Sequence, residues 1–136
     1  MIAIVGLDHI VLRTTKLQAM LNFYCEHLGC PIERTLPDLG LTQLRAGNCL
    51  IDIVEVDSEL GKLGGKAPSQ NGRNLDHFCL QIEPVDPQAL IAWLTERELH
   101  FSPPAERYGA QGFGESVYVD DPEGNVVELK PRKRIA

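Results

Sequence analysis

Leu7-Asp8-His9-Ile10-Val11-Leu12-Arg13 returns as Leu75-Asp76-His77-Phe78-Cys79-Leu80-Gln81, 68 residues further along the chain. Both copies alternate in character, and a β-strand sends alternate side chains to opposite faces of its sheet. His9, Val11 and Arg13 therefore share one face, with Ile10 and Leu12 on the other. His77, Cys79 and Gln81 share a face opposite the apolar stripe of Phe78, Leu80 and Ile82. Each copy predicts a strand that buries one side and presents a histidine from the other.

The flanking sequence repeats in the same order. After the first strand, Thr14-Thr15 offers a cap, residues 17, 20, 21, 24 and 28 are apolar at helical spacing, and Gly29 stops a helix over 16–28. Three short strands follow over 31–35, 41–45 and 49–56, divided by Pro37-Asp38-Leu39-Gly40 and by Gly47-Asn48. Residues 57–73 have no period and carry four glycines and a proline, the composition of a connector. In the second half, Asp86-Pro87 starts a helix and Gln88-Ala89-Leu90-Ile91 answers Gln18-Ala19-Met20-Leu21. Then come His100-Phe101, Pro103-Pro104, a Gly-rich loop over 108–114, a strand over 115–119, a turn over 121–125 and a strand over 126–130. The expected fold is α+β, a tandem pair of βαβββ modules whose strands form a curved mixed sheet with helices on its outer face. One domain spans 1–136, made of a first module at 4–56, a linker at 57–73 and a second module at 74–131.

Composition bounds the function. The 136 residues carry 43% hydrophobic and 24% charged side chains and a net charge of −6, which excludes a general nucleic-acid binder. The basic run Lys130-Pro131-Arg132-Lys133-Arg134 is expected to be a solvated tail. Asp8 interrupts the apolar start, which reads as neither signal peptide nor membrane span. The four cysteines lack metal-ligand spacing, and reduced thiols in the cytoplasm are the expectation. No Walker-type phosphate loop and no Gly-x-Ser-x-Gly elbow occurs.

Chemistry concentrates in four residues. Aligning Gly47-Asn48 with Gly124-Asn125 sets Asp52 against Glu128, with one residue of slip that a hairpin absorbs. Ile51 and Ile53, like Val127 and Leu129, supply the apolar face, leaving each acid opposite the core. Packing both apolar faces beneath their helices would leave a trough holding His9, Asp52, His77 and Glu128. Two imidazoles and two carboxylates suit zinc, nickel, iron or manganese, with positions left open for substrate. Glu55 rivals Asp52: three positions apart, the two face opposite sides of a regular strand, and a bulge would exchange them. Tyr118 and Ser116 face away from Val117 and Val119, and Tyr118 and Gln111 are candidates to line the trough.

In Asp8-His9 through Arg13, Phe23-Tyr24 with Leu28-Gly29, Leu75-Asp76-His77, and Asp121-Pro122-Glu123-Gly124-Asn125 through Glu128-Leu129, the chain resembles the vicinal oxygen chelate superfamily of glyoxalases, bleomycin-resistance proteins and ring-cleaving dioxygenases. It is most similar to the glyoxalase I, lactoylglutathione-lyase-like branch. That resemblance implies His9, Asp52, His77 and Glu128 as ligands of a divalent ion (Zn, Ni, Fe, Mn or Co), and Arg13 near the carboxylate of a glutathione adduct. It also implies a homodimer in which two chains share each site. Arg107 through Gly112 resembles a loop of the same branch. Asp52 departs from the pattern, since those lyases carry glutamate there.

Three functions follow as expectations. The first is a metal-dependent lyase or isomerase acting on a thiol hemithioacetal, with Glu128 as base and Asp52 opposite. The second is an extradiol-type dioxygenase or a thiol transferase using a His9, His77 and Glu128 triad. The third is a binding or resistance protein without turnover. A small molecule, rather than nucleic acid or membrane, is the expected partner.

Overall fold

A computed structural model describes residues 1–134; Ile135 and Ala136, the end of the expected single domain, lie outside the described residues. The chain divides into two compact units, Met1–Asn74 and Leu75–Ala136. Each unit is a βαβββ module built on one four-stranded mixed sheet.

The first unit contains β1 (His9–Thr14), α1 (Leu17–Leu21), a π-helical segment (Asn22–His27), β2 (Ile32–Leu36), β3 (Leu41–Ala46) and β4 (Cys49–Glu55), with strand order β1-β4-β3-β2. β1 runs parallel to β4, and β3 is antiparallel to both β4 and β2. The helix expected over 16–28 is therefore half α and half π. Leu28 N–H donates to Phe23 O at 3.0 Å, a five-residue step that widens the turn. The consecutive aromatics Phe23 and Tyr24 are both buried, ring edge to face at 4.8 Å. With Met20, Leu12, Leu44, Ile51 and Ile53 they form the core on one side of this sheet.

Residues 57–73 belong to the first unit, with a 3-10 turn at Gly61–Gly64. Asn74 closes the segment against β1: Arg13 N–H donates to Asn74 Oδ1 at 3.2 Å, and Asn74 Nδ2 donates to Arg13 O at 2.9 Å. Those bonds satisfy backbone groups on the open edge of β1, which would otherwise template another strand.

The second unit contains β5 (His77–Ile82), α2 (Pro87–Glu96), β6 (Ala105–Gly109), β7 (Gly112–Asp120) and β8 (Val126–Pro131), in the order β5-β8-β7-β6. Asp86 caps α2 by accepting from Ala89 N–H at 3.3 Å, with Pro87 at the first turn. Leu90, Leu94, Val117, Val119, Val127 and Leu129 are buried. The stretch 108–114, expected as a loop, forms the turn end of a β6–β7 hairpin instead, with Gly112 at φ +88 beside its tight turn. Its glycines make room for a neighbouring strand. A Cβ on Gly109 would stand 2.9 Å from Lys130 Nζ, and one on Gly114 would stand 3.3 Å from Lys130 Cε. Lys130, expected in a solvated tail, is buried and donates to Arg107 O at 2.8 Å and Gly112 O at 2.9 Å. Tyr108 and Phe113 pair across the hairpin on its exposed side, 5.0 Å between rings.

Candidate functional site

The two sheets repeat one register. In the first, Val11 of β1 pairs with Asp52, and Asp52 pairs with Gln43. In the second, Cys79 of β5 pairs with Glu128, and Glu128 pairs with Tyr118. Partners across a ladder share a face, so each acid stands in the row beyond its histidine on the face away from the core. The one-residue slip between the halves is taken up by the turns, with two residues between Ala46 and Cys49 but five between Asp120 and Val126. β4 keeps its register throughout its pairing with β1, so Asp52 lies with His9 and Val11, while Glu55, opposite Thr14, lies on the other side.

In both units the aspartate before the histidine holds the ring. His9 Nδ1 is 2.6 Å from Asp8 Oδ1, and His77 Nδ1 is 2.5 Å from Asp76 Oδ2. A carboxylate on one ring nitrogen fixes the tautomer and makes the other nitrogen a better ligand. His9 titrates above the ordinary histidine range, first because of that bond to Asp8 and then because of the charge on Asp52.

The acids are buried, Asp52 at 5% and Glu128 at 6% exposure. Gln43 Nε2 donates to both oxygens of Asp52 at 3.2 Å. Ser116 Oγ donates to Glu128 Oε2 at 2.8 Å, leaving Oε1 at 3.3 Å from His77 Nε2. Arg107 donates to Ser116 O at 2.7 Å and to Ser116 Oγ at 3.1 Å, and its guanidinium lies 4.0 Å over the Tyr118 ring. Tyr118 meets His77 edge to face at 5.3 Å. Cys79 is exposed as a residue, yet desolvation of its sulfur, then the Glu128 carboxylate, pushes its thiol up to about 11, so it stays protonated at neutral pH. Glutamate reaches its histidine while the shorter Asp52 does not: no ion pair joins His9 to Asp52 among the described residues.

The remaining candidates fall elsewhere. Arg13 spends its donors on a loop, Nε to Gly61 O at 3.1 Å, Nη1 to Gly64 O at 3.1 Å and Lys66 O at 2.9 Å, and Nη2 to Gly65 O at 2.6 Å. Gln111 lies in the β6–β7 turn and accepts from Lys133 N–H at 3.2 Å. Gln43, Asp8 and Asp76 were not anticipated as site residues. Counting back from the two-residue Gly47-Asn48 turn pairs Gln43 with Asp52, and the repeated Asp-His dipeptide signals the ring holders.

The His77 and Glu128 pair fits a divalent cation. A buried carboxylate needs a cation or several donors, yet Asp52 and Glu128 face a histidine and neutral groups, with no Lys or Arg ion pair to either among the described residues. Two ligands held about 2.0–2.1 Å from a tetrahedral ion stand about 3.3 Å apart, which matches the His77 to Glu128 contact. No three His, Cys, Asp or Glu side chains gather into one group among the described residues.

Duplicated βαβββ modules, each with an imidazole and a buried acid on its open sheet face, define a vicinal oxygen chelate protein. The chain belongs to the Glyoxalase/Bleomycin resistance protein/Dioxygenase superfamily, whose family model matches residues 6–129. Among curated proteins none matches. Among solved structures the chain is similar to an integron cassette protein from the mobile metagenome of V. cholerae, at 25% identity and a TM-score of 0.77 over 98% of this chain and 99% of that one. It is also similar to a virulence protein from Salmonella typhimurium, at 22% identity and a TM-score of 0.73 over 97% and 100% of the two chains. A lactoylglutathione lyase from Agrobacterium tumefaciens aligns at 19% identity and a TM-score of 0.67 over 93% of each chain. At the last two identities the likeness is one of fold. Among the described residues no helix is long and apolar enough to cross a membrane.

Proposed function

We propose that this chain is a metal-dependent lyase or isomerase of glyoxalase I type, in which His9, Asp52, His77 and Glu128 hold a divalent first-row ion. The observation that carries the reading is the repeated register: in each sheet a carboxylate-held histidine precedes, by one row, a buried acid with no Arg or Lys ion pair among the described residues. When bound, the ion supplies positive charge that offsets the charge developing on neighbouring substrate oxygens.

The chain's own groups do the proton work. Glu128 takes a proton from one carbon of a hemithioacetal and returns it to the next, an isomerisation without net oxidation. Ser116 holds Oε2 of that carboxyl, and Arg107 holds Ser116, so Oε1 is kept toward His77. Tyr118 walls the same row. Cys79, protonated, is not a competing nucleophile. The ligands of one site come from two units, of one chain or of two chains in a homodimer, acting in the cytoplasm where the four free cysteines stay reduced.

Protein loaded in turn with nickel, zinc, cobalt and manganese, then mixed with methylglyoxal and glutathione, should develop thioester absorbance, and Glu128→Gln should lose it. Absence of thioester with all four metals would reject the lyase. One observation favours a second reading: Gln43 occupies both oxygens of Asp52, so a His9, His77 and Glu128 triad would serve an extradiol-type dioxygenase or a metal-dependent thiol transferase. Oxygen uptake with catechols by the iron-loaded protein would select the dioxygenase.

A further inference from the structure

The β6–β7 hairpin presents a second surface, on the face of its sheet away from Glu128 and Tyr118. Alternation along β7 puts Phe113 and Glu115 on the side of Val117 and Val119, and the ladder pairs Phe113 with Tyr108 and Glu115 with Glu106. Val117 and Val119 are each 1% exposed, whereas Phe113 is 62% and Tyr108 74% exposed. The core face of the sheet therefore runs on into two uncovered aromatic rings, beside two exposed carboxylates.

Glu106 and Glu115 stand directly opposite each other across the ladder, where like charges repel and weaken the pairing. Neither has an ion pair or a side-chain hydrogen bond among the described residues. The nearby cations serve the other face: Arg107 is held against Ser116 and the Tyr118 ring, and Lys130 against Arg107 O and Gly112 O. β6 is also the last strand of its sheet and pairs with β7 alone among the described residues, so its outer edge is open to an added strand.

Alternate residues of an added strand would stand beside Glu106 and Tyr108. Beside Glu106 a lysine or arginine makes a charge-assisted hydrogen bond, and beside Tyr108 and Phe113 a second cation meets aromatic faces. A second copy pairing through its own β6 does not supply those cations: it brings Glu106 and Tyr108 again, and its Arg107 is already held. We propose that this edge is a docking site for an extended basic segment of a partner protein, added to β6 as a further strand with its lysines or arginines facing the two glutamates and the two rings. Main-chain hydrogen bonds give such strand addition its affinity, and alternate side chains give it specificity. The site lies on the opposite sheet face from His77 and Glu128 and requires neither metal nor turnover.

Full-length protein is titrated with a fluorescent peptide of alternating lysine and threonine, following peptide anisotropy and protein amide shifts. Saturable binding is expected, with shifts centred on β6 and the part of β7 that faces it. A peptide with proline in place of threonine keeps the charge but is barred from strand pairing, and should bind about tenfold more weakly or worse. One with glutamate in place of lysine should not bind. Glu106→Gln combined with Glu115→Gln should weaken the lysine–threonine peptide by about tenfold, the scale of one lost charge-assisted hydrogen bond, and the difference should shrink with added salt. Because the double substitution relieves repulsion between exposed groups, its denaturant midpoint should equal or exceed that of the parent. Absence of saturable binding would overturn the proposal. So would equal binding of the proline peptide, shifts that map elsewhere or undiminished binding by the double variant, each of which reduces the effect to general attraction toward a chain of charge −6. Self-association of the protein that the double substitution abolishes would give the edge to a second copy and overturn it equally.

Discussion

Gly61 shows how a single residue sets the path of the connecting segment. A Cβ there would stand 1.9 Å from Glu55 O, a backbone atom that cannot rotate aside. Gly61→Ala is expected to lower unfolding free energy by about 2–3 kcal/mol through overpacking. Gly6→Ala, with nothing within 4 Å of the added carbon, should leave it unchanged, and denaturant midpoints compare the two. At the far side of the first sheet, Arg45 Nε donates to Glu33 Oε1 and Nη2 to Oε2, both at 2.9 Å. Hydrogen bonds from Arg45, then its charge, hold the Glu33 carboxyl below the usual glutamate range. A depressed acid contributes stability above its unfolded-state value and loses it as pH falls through the folded-state value. Glu33→Gln should therefore flatten the stability profile in that acid window and nowhere above it. Both partners are exposed, so the difference should be small and should shrink with added salt.

At the scale of elements, the β6–β7 hairpin depends on a lysine from β8. Lys130 answers Arg107 O and Gly112 O, and Lys130→Met would keep much of the stem while leaving both carbonyls without that donor. A loss of about 1–3 kcal/mol is expected, the cost of unsatisfied buried groups, with faster amide exchange across 107–114 than across β5. This hairpin was illegible in the sequence because its glycines read as punctuation, and the side chain that requires them is recruited from another strand. The π-helical segment was hidden because its apolar spacing is that of an α-helix, and the widened turn has no local signature in the sequence. The βαβββ order was legible, since the repeated Leu-Asp-His, the Gly-Asn turns and the period-two stripes are local signals. So were the faces of His9, His77, Asp52 and Glu128, which follow from alternation alone. The bonds of Arg13 were not legible, because its acceptors are backbone carbonyls about 50 residues away that carry no side-chain signature.

At the scale of the whole molecule, gene-duplication symmetry makes a quantitative demand on the proposed centre. If His9 with Asp52 and His77 with Glu128 serve one ion, the protein should bind one equivalent of metal per chain, and the loss of either histidine should cost the same ion. His9→Ala and His77→Ala are each expected to weaken zinc binding by more than about 100-fold, and Asp8→Asn or Asp76→Asn by about 10–100-fold through loss of ring orientation. Zinc at about 100 times its dissociation constant should raise unfolding free energy by about 2.7 kcal/mol, and chelation should remove that increment. Were the couples independent, titration would find two equivalents per chain, and each histidine variant would abolish one while sparing the other. Calorimetric titration of the two variants side by side separates a shared ion from two private ones, whether the couples come from one chain or from two.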